Sequence, residues 1–368
     1  MGDGTGVLVI GGGPAGLAAA IALRKKGFEV TVADGAQPPI DKACGEGLMP
    51  NTLESLRELG VEICSGDGRA FRGIRFVDGT SLAEANFSGV SGIGVRRTVL
   101  HQRMVARAQE CGITLLWNTA VAGLADGGVI VDGTVMKARW IIGADGVHSR
   151  MRRWTGLDSG ARQEIRFAQR RHYRVKPWTD CMEVHWGEKM QAYVTPLAND
   201  EICIAVISRD PRMRLEEAWK EFPRLAGNCG HAKPSSSERG AVTVTRRLHR
   251  VYRRNIALIG DASGSVDAIT GEGLCLSFRQ AIALADALET GDLANYERAH
   301  RRLARRPNTM GRLLLLLDRY PVLRRRVLRG FADDPALFAR LLAVHRGEDS
   351  PAFLAVTGMR LGWQLLTV

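Results

Sequence analysis

Three patterns of apolar and polar positions recur along the chain, and each predicts a different kind of element. Val7 to Ile10 is an unbroken apolar run of strand length, as expected of a strand buried on both faces of a parallel sheet. Phe28 to Ala33, Ile113 to Trp117, Trp140 to Ile142 and Ile256 to Ile259 read as further strands. Helical periodicity covers Leu17 to Leu23, Thr52 to Leu59, Arg97 to Gly112, Leu215 to Phe222 and Leu274 to Glu289. In the third of these Leu100, Met104, Ala108 and Cys111 share one face. Asn51 is the expected N-cap of the second and Gly60 its stop.

Period-two alternation marks a different architecture. Ala70 to Phe87 alternates around Asp78-Gly79, a hairpin signal, and Val129 to Met136 turns at Asp132-Gly133. Extended runs between Glu164 and Ser208 predict the main sheet of a second, antiparallel domain, followed by a polar loop over Asn228 to Arg239. From Leu293 to Val368 the chain reads as helical, basic and leucine-rich. The expected fold class is α/β: a Rossmann-like nucleotide-binding domain (1–68, 96–160 and 245–292), an inserted antiparallel β-sheet substrate domain (69–95 and 161–244), and a helical C-terminal region (293–368).

The loop after the first strand brings in chemistry. Gly11, Gly13 and Gly16 spell G-x-G-x-x-G between a strand and a helix, and Asp34 ends the second strand. The first glycine allows a tight turn, the second lets a pyrophosphate approach the backbone, and the third lets helix and strand pack closely. Free N–H groups at the helix start favour an anion there. A carboxylate at Asp34 suits an adenosine ribose. Strand, glycine turn, helix, second strand and terminal acid together predict a bound adenine dinucleotide.

Composition narrows the class. With 368 residues, 45% of them hydrophobic, the chain is long enough for two globular domains. Cys44, Cys64, Cys111, Cys181, Cys203, Cys229 and Cys275 form no C-x-x-C and no zinc spacing, so reduced thiols, a cytoplasmic location and no metal are expected. No secretory signal or membrane-spanning run is visible. The formal charge of +12 sits largely in arginine clusters, with no zinc finger or RNA-recognition signature, so nucleic acid is not an expected partner. The basic C-terminal helices leave three roles open: core packing, a cap over the active site, or contact with a membrane surface. Oligomeric state is not legible.

Three ordered patches, GGGPAG, GADGVHSRMR and IGDASGSVDAITGEGL, resemble the flavin-binding signature of FAD-dependent oxidoreductases of the para-hydroxybenzoate hydroxylase type, a superfamily that includes the geranylgeranyl reductases. The resemblance covers roughly residues 1–290. It implies that FAD is held by Gly11, Gly13, Pro14, Ala15, Gly16, Asp34, Arg97, Asp145, Gly260, Asp261, Gly271, Gly273 and Leu274, with Cys44, Gly45 and Gly47 facing the ring. Amides at Gly271 to Leu274 would stabilise the charge of reduced flavin. Glu46 is expected either as a proton shuttle or as a loop support. His185, Tyr193 and Thr195 are candidate substrate-facing positions, the first two as catalytic residues. Asp267 and Glu272 are expected near the ring.

What the resemblance implies for the reaction is monooxygenation: hydroxylation or epoxidation of a hydrophobic aromatic, polyketide or lipid-like molecule, with NADPH or NADH as transient reductant and O2. The alternative is reduction of isoprenoid-type C=C bonds. A non-catalytic flavoprotein binding an anionic partner is a third. The reductases' Y-x-W-x-F-P meets only Gln191 to Pro196, and the halogenases' W-x-W-x-I-P is absent.

Overall fold

The computed structural model describes residues 6–159, 162–229 and 231–347, with the backbone alone for 162–164. Its first layer is a six-stranded sheet in the order Tyr252–Arg253, Ile256–Leu258, Trp140–Gly143, Val7–Ile10, Val30–Ala33, Thr114–Leu116. All pairings are parallel except that of the edge strand Tyr252–Arg253. Val7 and Val9 bury against the helices Pro14–Lys25, Arg97–Glu110 and Gly273–Glu289. Leu8 and Ile10 bury on the opposite face, against a three-stranded meander of Val121–Ala125, Gly128–Val131 and Thr134–Lys137. Cover on both faces is why the first strand carries no polar residue.

Two helix starts differ from expectation. The first helix begins at Pro14, and the second at Pro50 with Met49 as its N-cap, leaving Asn51 buried inside the first turn. Proline suits the first helical position because its φ is preset and the N–H it lacks would be unpaired there. Gly60 does end the second helix, at φ +75.

The second layer is a large sheet in the order Gly264–Ser265, Arg239–Arg247, Arg162–Arg174, Glu201–Ser208, Met190–Leu197, Cys181–Trp186, Gly73–Asp78, Ser81–Asn86. It is antiparallel except where Cys181–Trp186 pairs parallel with Gly73–Asp78. The hairpin turns at Asp78-Gly79, with Gly79 at φ +59. The expected polar loop is partly ordered: helix Pro223–Cys229 and strand Lys233–Pro234 occupy it, because Leu225 and Cys229 bury against the sheet. One face of this sheet packs on helices Leu215–Glu221 and Pro223–Cys229; the other looks towards the first domain.

Three helices, Leu293–Arg319, Pro321–Asp333 and Pro335–Arg346, close the described chain. The first packs against Gly273–Glu289, and the other two against Ser81–Asn86. Phe331 and Phe338 stack at 4.7 Å, and Phe338 lies 4.8 Å from Phe76. These helices therefore belong to the core of the substrate layer as well as to the nucleotide domain. The remainder of the expected helical tail, 348–368, lies outside the described residues. No described helix is long and apolar enough to cross a membrane.

Candidate active site

The glycine loop separates glycines the protein needs for itself from those it does not. A Cβ at Gly11, whose φ is +111, would sit 2.5 Å from the Ala144 carbonyl oxygen, and one at Gly16 only 1.8 Å from that of Gly11. Both are demanded by packing. A Cβ on Gly13 meets nothing within 4 Å, and Gly13, Pro14 and Ala15 line a cavity of about 560 Å³. The helix that starts here has no side-chain cap, so its first N–H groups point free. Asp34 Oδ2 accepts from Gly12 N at 2.6 Å and Oδ1 from Ala36 N at 2.8 Å. From the other side His101 Nε2 donates to the Gly12 carbonyl at 2.8 Å while Nδ1 accepts from Ile40 N. That pattern requires the neutral ring, and burial lowers its pKa accordingly.

The middle and late patches meet the loop from the neighbouring strands. Asp145, expected at the cofactor, instead accepts from Ser149 Oγ at 2.5 Å and from the backbone of Arg150 and Met151 at 2.7 and 3.0 Å. Its carboxylate satisfies the orphan amides of the short helix Arg150–Trp154, and it is the neighbours Gly146, Val147 and His148 that line the cavity. Arg152, a residue with no motif role in the sequence, is buried and donates to the carbonyls of Val147, Asp261 and Ala262 while pairing with Asp158 at 2.9 Å. One guanidinium thus ties the second patch to the third. Gly260 is again a packing glycine, since its Cβ would lie 2.7 Å from that of Ala15.

What remains open towards the cavity fits a flavin dinucleotide. Gly45, Gly271 and Gly273, like Gly13, have no atom within 4 Å of a built Cβ, and all four line the cavity with Leu274, Asp261 and Lys42. Helix Gly273–Glu289 also lacks a side-chain cap. Arg97 lines the cavity, and its buried Nε has no hydrogen-bond partner among the described residues. Two uncapped helix N-termini, a free guanidinium and glycines that packing does not require suit an anionic, extended ligand.

The Cys44 to Gly47 loop forms the far wall. Glu46 is buried at φ +60, a left-handed conformation that a side chain rarely adopts. Four contacts hold it: Oε1 accepts from Arg97 N at 2.9 Å, Oε2 from His172 Nε2 at 2.6 Å, its carbonyl from Val95 N at 2.9 Å, and Arg170 Nε lies 3.8 Å away. Ser236 Oγ backs His172 at Nδ1, 2.8 Å away, and Thr195 Oγ1 donates to the Gly45 carbonyl at 2.6 Å. Glu46, His172 and Cys203 bring ligand atoms within 4.8 Å of one another. Burial keeps the Cys203 thiol protonated and Arg170 already balances the carboxylate, so the cluster is a poor cation site.

Strand alternation decides the substrate face. Val184 and Tyr193 are cross-strand partners lining the cavity, whereas His185 is paired with Ala192 on the opposite face. There His185 bonds Glu183 at 2.9 Å and packs edge-on to Phe222, so it cannot reach a reacting atom as expected of it. Tyr193 faces inward, but its hydroxyl donates to the Ile269 carbonyl at 3.2 Å, and burial pushes its phenol far above the usual range. Asp267 lines the cavity: Oδ1 pairs with Arg166 Nη1 at 2.9 Å and accepts from Ile269 N, while Oδ2 is buried without a hydrogen-bond partner among the described residues. His345, from helix Pro335–Arg346, lines the same end, its Nε2 donating to the Thr270 carbonyl at 3.2 Å and its buried Nδ1 unpaired among the described residues. From this polar end the cavity runs along Ile74, Phe76, Val184, Phe331, Phe338 and Leu342.

Such a cradle, two uncapped helix starts and three converging patches beside an apolar chamber, defines a nucleotide-dependent flavoprotein. Residues 4–291 match the family model described as FAD binding domain, and the chain belongs to that family of FAD-dependent oxidoreductases. It is 30% identical over 325 residues to a menaquinone reductase of Mycobacterium tuberculosis, covering 79% of this chain and 78% of that protein. It is 25% identical over 309 residues to the ubiquinone hydroxylase UbiL of Rhodospirillum rubrum, covering 77% and 72%. A flavoprotein/dehydrogenase structure from Cytophaga hutchinsonii superposes with a TM-score of 0.81 at 22% identity, covering 94% and 93%.

Proposed function

We propose that the protein is an FAD-dependent monooxygenase acting on a hydroxylated ring that carries a long apolar tail. The observation that carries this reading is the shape of the cavity: an apolar arm under the C-terminal helices opens onto a polar end where buried Asp267 Oδ2 and His345 Nδ1 lack partners among the described residues. A ring hydroxyl donating to Asp267 Oδ2 and a second substrate O–H or N–H donating to His345 Nδ1 would satisfy both, and buried polar atoms left unpaired are costly enough to select for such groups. When bound, FAD reduced by NADPH or NADH supplies the oxygen-activating chemistry. Gly271, Gly273 and the uncapped helix behind them would direct amides at its ring. Arg166 holds Asp267 by Oδ1 and leaves Oδ2 facing the cavity, and Phe331, Phe338 and Leu342 exclude water from the arm.

A second reading is reduction of a C=C bond in the tail. Similarity to a menaquinone reductase favours it, since menaquinone carries an isoprenoid chain that the apolar arm would also accept. Turnover of a lipid-tailed phenol with and without oxygen separates the two. Oxygen-dependent NAD(P)H loss with product heavier by one oxygen atom supports monooxygenation. Product heavier by two hydrogens, formed anaerobically, overturns it.

A further inference from the structure

Seven large apolar side chains are exposed among the described residues, and four of them fall within ten positions of one another: Leu313, Leu316, Tyr320 and Val322, at 42, 44, 50 and 61% exposure. They mark the elbow between helices Leu293–Arg319 and Pro321–Asp333. Leu313, Leu316 and Tyr320 are three and four residues apart and so share one helical face. Arg312, Arg319, Arg325 and Arg329 are exposed around them. From Arg298 to Arg329 the chain has eleven arginines and a single acid, Asp318, whose carboxylate is buried towards Gln191 and Arg209. Isolated surface leucines are ordinary, but a contiguous apolar strip ringed by one sign of charge is not.

We propose that this elbow docks the enzyme on an anionic lipid surface. Apolar side chains would enter the headgroup–acyl boundary while the surrounding arginines meet lipid phosphates, the arrangement of an interfacial helix that does not span the bilayer. A second copy of the chain is a poor occupant, because it would bring the same exposed arginines to face their like across the interface. The elbow also has a purpose at that surface. Met310, Leu314 and Leu317, on the inner side of the same helix, line the cavity, so a lipid-tailed molecule leaving the bilayer would meet the wall of its own binding site. The purpose rests on the proposed substrate class; the docking itself is measured without any turnover.

Flotation of the FAD-loaded full-length protein with vesicles tests it. Vesicles of phosphatidylcholine with phosphatidylglycerol should carry the protein at low salt, and phosphatidylcholine alone should carry at least tenfold less. Each of Arg312→Gln and Arg319→Gln should weaken partitioning roughly fivefold, high salt should do the same by screening, and Leu316→Asp/Val322→Asp should abolish it. Flavin absorbance and NAD(P)H oxidation in detergent should be unchanged in these variants. Equal binding to neutral vesicles, or undiminished binding by the variants, overturns the proposal. So does absence of vesicle binding, including the case where Val322→Asp instead splits a dimer in gel filtration.

Discussion

Arg166 and Asp267 face each other at 2.9 Å with side chains only 1% exposed, at the inner end of the substrate cavity. Neither charge has water to fall back on. Arg166 also donates to Gln191 Oε1 at 3.0 Å, and Gln191 passes the contact to Asp318 at 2.8 Å, so the pair anchors a polar chain from the cavity to helix Leu293–Arg319. Removing one partner from a buried pair leaves the other uncompensated, at about 3–5 kcal/mol. Arg166→Met or Asp267→Asn alone should therefore lower the unfolding midpoint sharply. The double variant should recover much of the loss, and a denaturation cycle over the four proteins measures the coupling.

The glycines predict opposite failures a few residues apart. Gly16→Ala places a Cβ within 1.8 Å of a backbone oxygen and should give little folded protein. Gly13→Val has room on the protein side, so it should fold with an ordinary circular dichroism spectrum yet purify colourless, because the side chain fills space the cofactor needs. Yellow Gly13→Val protein with full flavin content would contradict the assignment of the cradle.

Asp145 separates a folding role from a binding one. It accepts two backbone amides and the Ser149 hydroxyl, contacts of the kind whose loss costs about 2 kcal/mol. Asp145→Ala should lower thermal stability by that order while keeping most of its flavin, whereas Asp261→Ala, on the cavity wall, should lose flavin. Flavin-to-protein absorbance ratios on the two purified variants make the comparison.

These contrasts show which parts of the site a sequence can carry. The three nucleotide patches were legible because each joins a strand end to a turn, and parallel strands must bring those ends to one edge of a sheet. His185 was misplaced because facing depends on register: in Cys181–Trp186 the even positions Met182 and Val184 line the cavity and the odd ones do not. Arg152 and His101 work by bonding backbone carbonyls, which leaves no periodic trace, although the second arginine of GADGVHSRMR was a signal within reach. Alternation in Arg162–Arg174 was another: Arg166, Arg170 and His172 are two or four apart, hence on one face. The C-terminal helices were legible as helices, but what they cover is a property of the sheet beneath them.

His300 gives the fold a calculable pH dependence. Its ring is buried, Nε2 lies 2.9 Å from Ser263 Oγ beside the Gly260–Asp261 turn, and burial, then Arg301, lowers its pKa from 6.5 to about 4. The folded state therefore resists protonation where the unfolded chain accepts it. Stability from this group is complete above pH 6.5 and is lost as pH falls through the interval towards 4. At about 1.4 kcal/mol per pH unit the full loss is about 3 kcal/mol. His300→Gln keeps a hydrogen-bonding group of similar reach without the titration, so its unfolding free energy should decline less steeply over that interval than that of the parent protein. Chemical denaturation at several pH values on the flavin-loaded protein supplies the test, and parallel slopes for the two proteins would show that the ring is not held neutral by its surroundings.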